Sequence, residues 1–191
     1  CENKPGYARK QKFTKAYKAR NIKKNKEMRG YAIMIKILFI CHGNICRSTM
    51  AEYVMKDLVK KSNLTEEFYI DSAATSREEI GNPVHRGTRQ KLKEKGIFCG
   101  DHRARQVTKK EYAEYDYILG MDTWNMKNMM RIFGSDPDEK IHKLLDFSSA
   151  PRDIADPWYT GNFDATYDDV SEGCHTLLNH ILEKGQVAQR Q

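Results

Sequence analysis

Cys41 and Arg47 are separated by His42, Gly43, Asn44, Ile45 and Cys46, and Ser48 follows. A thiolate is a strong nucleophile, and a guanidinium is a planar, permanently charged fork that suits two phosphate oxygens. Residues 37–40 are continuously apolar, as expected of a buried strand covered on both faces. Ala51, Val54, Met55 and Leu58 then recur at helical spacing, with Thr49 and Glu52 placed as a capping box. Strand, tight loop and helix would aim successive backbone N–H groups and the positive end of a helix into one concavity, which is an anion site. The same field favours the thiolate of Cys41. The chemistry implied is attack on a bound phosphate ester. A buried strand ending in an incidental cysteine would explain neither Arg47 nor the Gly43-Asn44 turn.

In the form Cys41-His42-Gly43-Asn44-Ile45-Cys46-Arg47-Ser48, this stretch resembles the signature loop of the low-molecular-weight protein tyrosine phosphatases. Far downstream, Asp156-Pro157-Trp158-Tyr159 resembles the acid-bearing motif of the same family. The resemblance covers about residues 34–183. It implies a two-step mechanism through a cysteinyl-phosphate, with Cys41 as nucleophile and Arg47 plus the loop amides on the phosphoryl group. Asp156 would protonate the leaving group and later activate water. His42, Gly43, Asn44, Ile45 and Cys46 would form the substrate-binding loop, and Trp158 and Tyr159 would flank an aromatic leaving group. Ser48, Ser72 and His102 would support the loop by hydrogen bonds, with Asn44 tolerating the left-handed backbone that a curled loop needs. For Cys46 two readings stand side by side: a reversible disulfide with Cys41, or a small buried apolar side chain.

Several residues depart from the family pattern. Thr49 stands where a proline is common. His42 occupies a variable rim position where its charge would bias substrate choice. Glu78 stands where many members carry an aromatic wall, which implies weaker phosphotyrosine binding on that side and discrimination against acidic peptides. The stretch Pro83-Val84-His85-Arg86 is one residue shorter than the animal pattern. Arsenate reductases of similar fold need a further cysteine pair, which Cys99 and Cys174 do not form. Protein-arginine phosphatases resemble a pattern with Thr in place of Ile45. A catalytically dead phosphate-binding module would not need Cys41, Arg47 and Asp156 together.

The chain has 191 residues and a formal charge of +7, with 39% hydrophobic residues. The charge is localised. Residues 1–33 hold eleven Lys/Arg and two Glu, a net +9, so the remaining residues carry 22 Lys/Arg against 24 Asp/Glu, a net −2. A tail, rather than the body, is therefore basic, and a nucleic-acid partner is not expected. Residues 1–33 read as a disordered extension or leader without a role in the chemistry, with Met34 resembling a natural start. An electrostatic arm and a transit peptide are the weaker readings of that tail. Five cysteines at irregular spacings do not suggest a disulfide framework, and a thiolate nucleophile suits a reducing cytoplasm. No apolar run is long enough for a membrane span. The histidines and cysteines show no paired ligand spacing, so no metal or other cofactor is expected. The partners implied by the resemblance are phosphotyrosine-containing proteins or small aryl phosphates, with phosphate- or sulfate-like anions in the loop. The chain is expected to be a monomer or weak dimer.

The elements that must position these residues alternate. A second strand is expected at 68–73 and a break at Gly81-Asn82-Pro83. A helix then runs through Thr88, Leu92 and Lys95 to Gly96. A brief helix at 109–115 precedes a strand at 117–121. Met126, Met129, Met130 and Phe133 form a core stripe up to Gly134. A fourth strand is expected at 141–147. A last helix then buries Tyr167, Val170, Cys174, Leu177, Leu178 and Ile181 and ends near Gly185. The fold class is three-layer α/β/α with a four-stranded parallel sheet, and the resemblance specifies the flavodoxin-like phosphotyrosine phosphatase I fold. The division expected is a leader at 1–33, a phosphatase domain at 34–185 and a tail at 186–191.

Overall fold

The structure, a computed structural model, describes residues 34–185, and the expectations for 1–33 and 186–191 lie outside the described residues. Four strands, β1 (Ile35–Cys41), β2 (Phe68–Ala74), β3 (Tyr117–Gly120) and β4 (Ile141–Lys143), form one parallel sheet in the order β2-β1-β3-β4. Among the described residues five α-helices accompany them: α1 (Arg47–Lys61), α2 (Arg86–Glu94), α3 (Thr123–Phe133), α4 (Pro157–Thr160) and α5 (Phe163–Glu183).

β1 is apolar without interruption over 37–40 because it serves two cores at once. Successive side chains of a strand point to opposite faces. Ile37 and Phe39 join the core that α1 and α5 cover, with Val54, Met55 and Leu177. Leu38 and Ile40 join the other core, with Ile118, Met129 and Phe133 beneath α3. All four are fully buried, and each contributes about 1.5–3 kcal/mol of transfer free energy. This is the expected three-layer α/β/α arrangement.

From β1 the chain crosses through α1 to β2 on one side, and later returns to β3 on the other. Loops after β1 and β3 therefore leave the sheet in opposite directions and open a crevice at the strands' carboxyl ends. Cys41 is the last residue of β1, and Asp122 lies two residues beyond the end of β3. At Gly120 a Cβ would come within 2.7 Å of Met129 Cε and 3.3 Å of Asn125 Cβ, so glycine eases the close packing of α3 on β3.

Three expectations are corrected. Thr49 and Glu52 do not form a capping box: α1 starts at Arg47 with Cys46 as N-cap, and no side chain caps it. A cap would occupy N–H groups that the loop presents to its concavity. Thr49 Oγ1 instead donates to the Cys46 carbonyl at 2.9 Å, and Glu52 turns inward to accept from Ser72 Oγ at 2.5 Å. The fourth strand is short: it ends at Lys143, and Leu144 and Leu145, both fully buried, follow it in a turn. Residues 144–147 instead form a 3₁₀ turn whose Asp146 carboxylate accepts the Lys143 N–H at 2.8 Å, and Leu144 seats on Gly173 of α5. In the methionine stripe Met129 and Phe133 are core, but Met130 is exposed: it follows Met129 by one position and so leaves the buried face.

Candidate active site

The 41–48 loop curls because Asn44 adopts a left-handed conformation, with φ at 59°. Such a backbone is uncommon outside glycine and persists where surrounding contacts over-determine it. Asn44 is fully buried and bonded at every polar atom of its side chain. Nδ2 donates to Ser48 Oγ at 3.0 Å and to Ser72 Oγ at 2.8 Å, and Oδ1 accepts from Arg105 N at 3.1 Å. Its carbonyl meets His102 Nε2 at 2.9 Å. A carbonyl oxygen only accepts, so Nε2 carries the proton. His102 Nδ1 faces the buried Glu52 carboxylate at 3.8 Å. The Asn44 amide donates to Cys41 Sγ at 3.3 Å, and Ser48 Oγ lies 3.1 Å from the same sulfur. Ser48, Ser72 and His102 thus meet at the loop. Glu52 and Arg105 were missed, since an acid inside a helix and an arginine in a connection carry no local sign of what they touch.

Arg47 is only 2% exposed. Nη1 donates to Asp122 Oδ2 at 2.5 Å and to the Ile154 carbonyl at 3.0 Å, and Nη2 pairs with Asp156 Oδ2. Burial works against its charge, but Cys41, Asp156 and Asp122 outweigh it and hold the guanidinium above its ordinary value. Nε is buried without a partner among the described residues. Each carboxylate is fixed by a helix end. Asp122 Oδ1 caps α3 by accepting Asn125 N–H at 2.7 Å, and Asp156 Oδ1 caps α4 by accepting Trp158 N–H at 3.1 Å, with Pro157 in the first turn. The Ile154 N–H donates to the Met121 carbonyl at 2.8 Å and so pins the Asp156 segment to the end of β3. Asp122 is a site residue that the sequence reading missed. Its cap signal was legible, but its pairing with Arg47 is set by the sheet order.

A thiol, a buried guanidinium and a carboxylate thus converge from three segments on one cavity, and comparison with known proteins bears on what they do. The low molecular weight phosphotyrosine protein phosphatase model matches residues 36–187. The chain is 39% identical over 156 residues to the low molecular weight protein-tyrosine-phosphatase YfkJ of Bacillus subtilis, covering 81% of this chain and all of that one. It is 40% identical over 151 residues to the human low molecular weight phosphotyrosine protein phosphatase, covering 78% of this chain and 94% of that one. The crystal structure of YfkJ matches with a TM-score of 0.78 over 82% of this chain and 98% of that one. The chain belongs to the low molecular weight phosphotyrosine protein phosphatase family.

In this family member the four described cysteines are free and buried. Burial first, then Cys41 and Asp156, push the Cys46 thiol up to about 12, so it is a neutral group packed with Ile45 and Ala104. Cys99 and Cys174 are core residues, and burial pushes the Cys174 thiol up as well.

Above Cys41 and Arg47 opens a cavity of about 550 Å³. Trp158 and Tyr159 stand exposed at its edge, and Trp124 of α3 lines it as an unanticipated third aromatic. His42 Nε2 meets Glu78 Oε2 at 2.9 Å across the rim. The Glu78 segment is held there because Thr75 N–H donates to the Cys41 carbonyl at 2.9 Å and Ser76 N–H to the His42 carbonyl at 3.0 Å. His85 ties the loop to Trp158. Its N–H donates to the Ile45 carbonyl at 2.9 Å, its ring stacks on Phe163 at 5.2 Å, and Trp158 meets it edge-on at 5.7 Å. Burial, then Arg86, hold His85 below the ordinary histidine value, against Glu79. Among the described residues no group of three or more His, Cys, Asp or Glu could hold a metal ion, and no helix is long and apolar enough to cross a membrane.

Proposed function

We propose that the protein hydrolyses phosphotyrosine and related aryl phosphate monoesters through a cysteinyl-phosphate intermediate. One arrangement carries the reading: Cys41, Arg47 and Asp156 face the same cavity above a loop whose curl is fixed by Asn44. Cys41 Sγ attacks phosphorus while the bond to the phenolic oxygen breaks, and Asp156 gives its proton to that oxygen. The phosphoryl charge is taken by the loop amides and the Arg47 fork, for which Asp156 gives way. In the second step Asp156 accepts a proton from water, the water oxygen bonds to phosphorus, and the S–P bond breaks. Ser48 Oγ, 3.1 Å from the sulfur, donates to the departing thiolate. His42, Gly43, Ile45 and Cys46 complete the binding loop, and Trp158 and Tyr159 flank the aryl group.

The substrates are phosphotyrosine-containing proteins or small aryl phosphates. A reactive thiol beside the free Cys46 suits the reducing cytoplasm, to which we assign the protein. Residues 34–185 form the phosphatase domain, with 1–33 an extension or leader outside the chemistry. The test is hydrolysis of para-nitrophenyl phosphate in EDTA by the wild type and Cys41→Ser. The variant should lose about 10⁴-fold or more, the scale on which a lost nucleophile acts. Unchanged turnover in Cys41→Ser sinks the nucleophile assignment.

A further inference from the structure

The rim of the cavity differs from side to side, and the topology orders it. β2 and β3 flank β1 in the sheet. The segment after β2 and helix α3 after β3 therefore stand on opposite sides of Cys41. On the β2 side are Glu78 and Glu79. The Glu78 side chain is 70% exposed and its carboxylate reaches only as far as the His42 ring, at 2.9 Å, whereas Glu79 is tied to Asn82 Nδ2 at 2.6 Å. On the β3 side is Trp124, 67% exposed, with Lys127 Nζ 4.5 Å from its ring centroid. Trp124 lines the cavity, and the Lys127 ammonium sits on its ring. A ring held this way loses little freedom when a flat group packs on it.

The charges are equally one-sided. The cavity lining holds four carboxylates, on Glu78, Glu79, Asp122 and Asp156, against one permanent cation, Arg47. Asp122 and Asp156 are already paired with Arg47. The outward-facing excess is therefore that of the β2 side, and a phosphate ester enters against it unless the substrate brings a cation of its own.

We propose that the enzyme selects phosphotyrosyl peptides with a Lys or Arg beside the phosphotyrosine, the aryl ring packing against Trp124 and the basic side chain pairing with Glu78. This rests on the phosphatase reading above and names its substrate class. The basic side chain displaces His42 from Glu78 and leaves the phosphoryl group over Arg47 unopposed. An exposed pair of this kind changes affinity by about five-fold at most and is screened by salt.

The experiment compares kcat/KM on para-nitrophenyl phosphate and on three phosphotyrosyl peptides of one length, carrying Arg, Ser or Asp on both sides of the phosphotyrosine. The full chain is used as wild type, Glu78→Lys, Trp124→Ala and Trp124→Phe. The wild type should prefer the Arg peptide over the Asp peptide by about five-fold, with the preference collapsing in about 1 M salt. Glu78→Lys should invert that ratio. Trp124→Ala should raise KM for every peptide about two- to ten-fold with little change in kcat, and Trp124→Phe should recover part of it. Equal rates on the three peptides, a ratio untouched by Glu78→Lys, or a KM untouched by Trp124→Ala overturns the proposal. In each of those cases, hydrolysis of para-nitrophenyl phosphate leaves the phosphatase reading standing. A wild type that cleaves none of the four substrates overturns both.

Discussion

The floor of the cavity and its rim are built on opposite principles. On the floor Asn44, Arg47, Ser48 and Ser72 are buried and hydrogen-bonded, Asn44 and Arg47 to distant segments and Ser48 within its own loop. On the rim Glu78, Trp124, Trp158 and Tyr159 stand in solvent with one contact or none that fixes them against the loop. In a buried, low-dielectric floor each charge interaction is strong, and its orientation is arranged before substrate arrives. In the wet rim each exposed ion pair contributes at most about 1 kcal/mol. The floor can therefore hold the chemistry constant while the rim changes which substrates reach it.

The largest effects should come from the floor. Asp156→Ala should lower kcat on phosphotyrosine by about 10²–10⁴-fold, with a smaller loss on an aryl phosphate whose leaving group needs no proton. Equal losses on both substrates would remove Asp156 from the proton transfer and leave it a partner of Arg47 alone.

Asn44 tests whether the floor is set by backbone or by side chain. Asn44→Ala forfeits the donors to Ser48 and Ser72 and places an ordinary side chain at φ 59°, so urea unfolding should show about 1–3 kcal/mol of lost stability. Asn44→Gly, which takes that φ freely, should recover about 1 kcal/mol of it while remaining impaired in turnover. An alanine variant as stable as wild type would break the contrast.

On the rim, Tyr159→Ala should raise KM for aryl substrates by about two- to ten-fold with kcat nearly unchanged, the scale of an aromatic contact. A fall in kcat as deep as that of Asp156→Ala would make the rim part of the chemistry. The smallest effect concerns pH. His85 is held below its ordinary value and its Nδ1 accepts the Gly87 N–H at 3.1 Å, so the fold favours the neutral ring. The stability this lends is complete above the ordinary histidine value and is lost as pH falls from there through the lower folded value. The melting temperature of the wild type should therefore decline more steeply across that window than that of His85→Asn, and parallel profiles would remove His85 from the account.

The two regions also differ in how far the amino-acid sequence foretold them. Cys41, Arg47 and Ser48 share one loop whose spacing encodes its own curl, and the Ile37–Ile40 run announces a strand with two covered faces. Asp156 was legible because Pro157, Trp158 and Tyr159 follow it in a short motif. Period-2 and period-3.6 patterns likewise placed four strands and the long helices, since burial repeats within each element. What such patterns do not carry is contact between elements. Thr49 and Glu52 have the spacing of a capping box, yet Ser72 from β2 and His102 from a distant connection draw Glu52 inward. Residues 144–147 look like a strand until Gly173 of α5 offers Leu144 a seat. Asp122 meets Arg47, and Trp124 faces Glu78 across Cys41, only because β3 lies beside β1 on the side away from β2. By itself, then, the sequence marked the candidate nucleophile, fork and acid and determined the sheet's layering, all of which depend on neighbours within a few residues. The tertiary structure alone decided Arg47's second carboxylate, the Glu52 support and the shape of the rim, because each joins residues brought together only by the order of the strands.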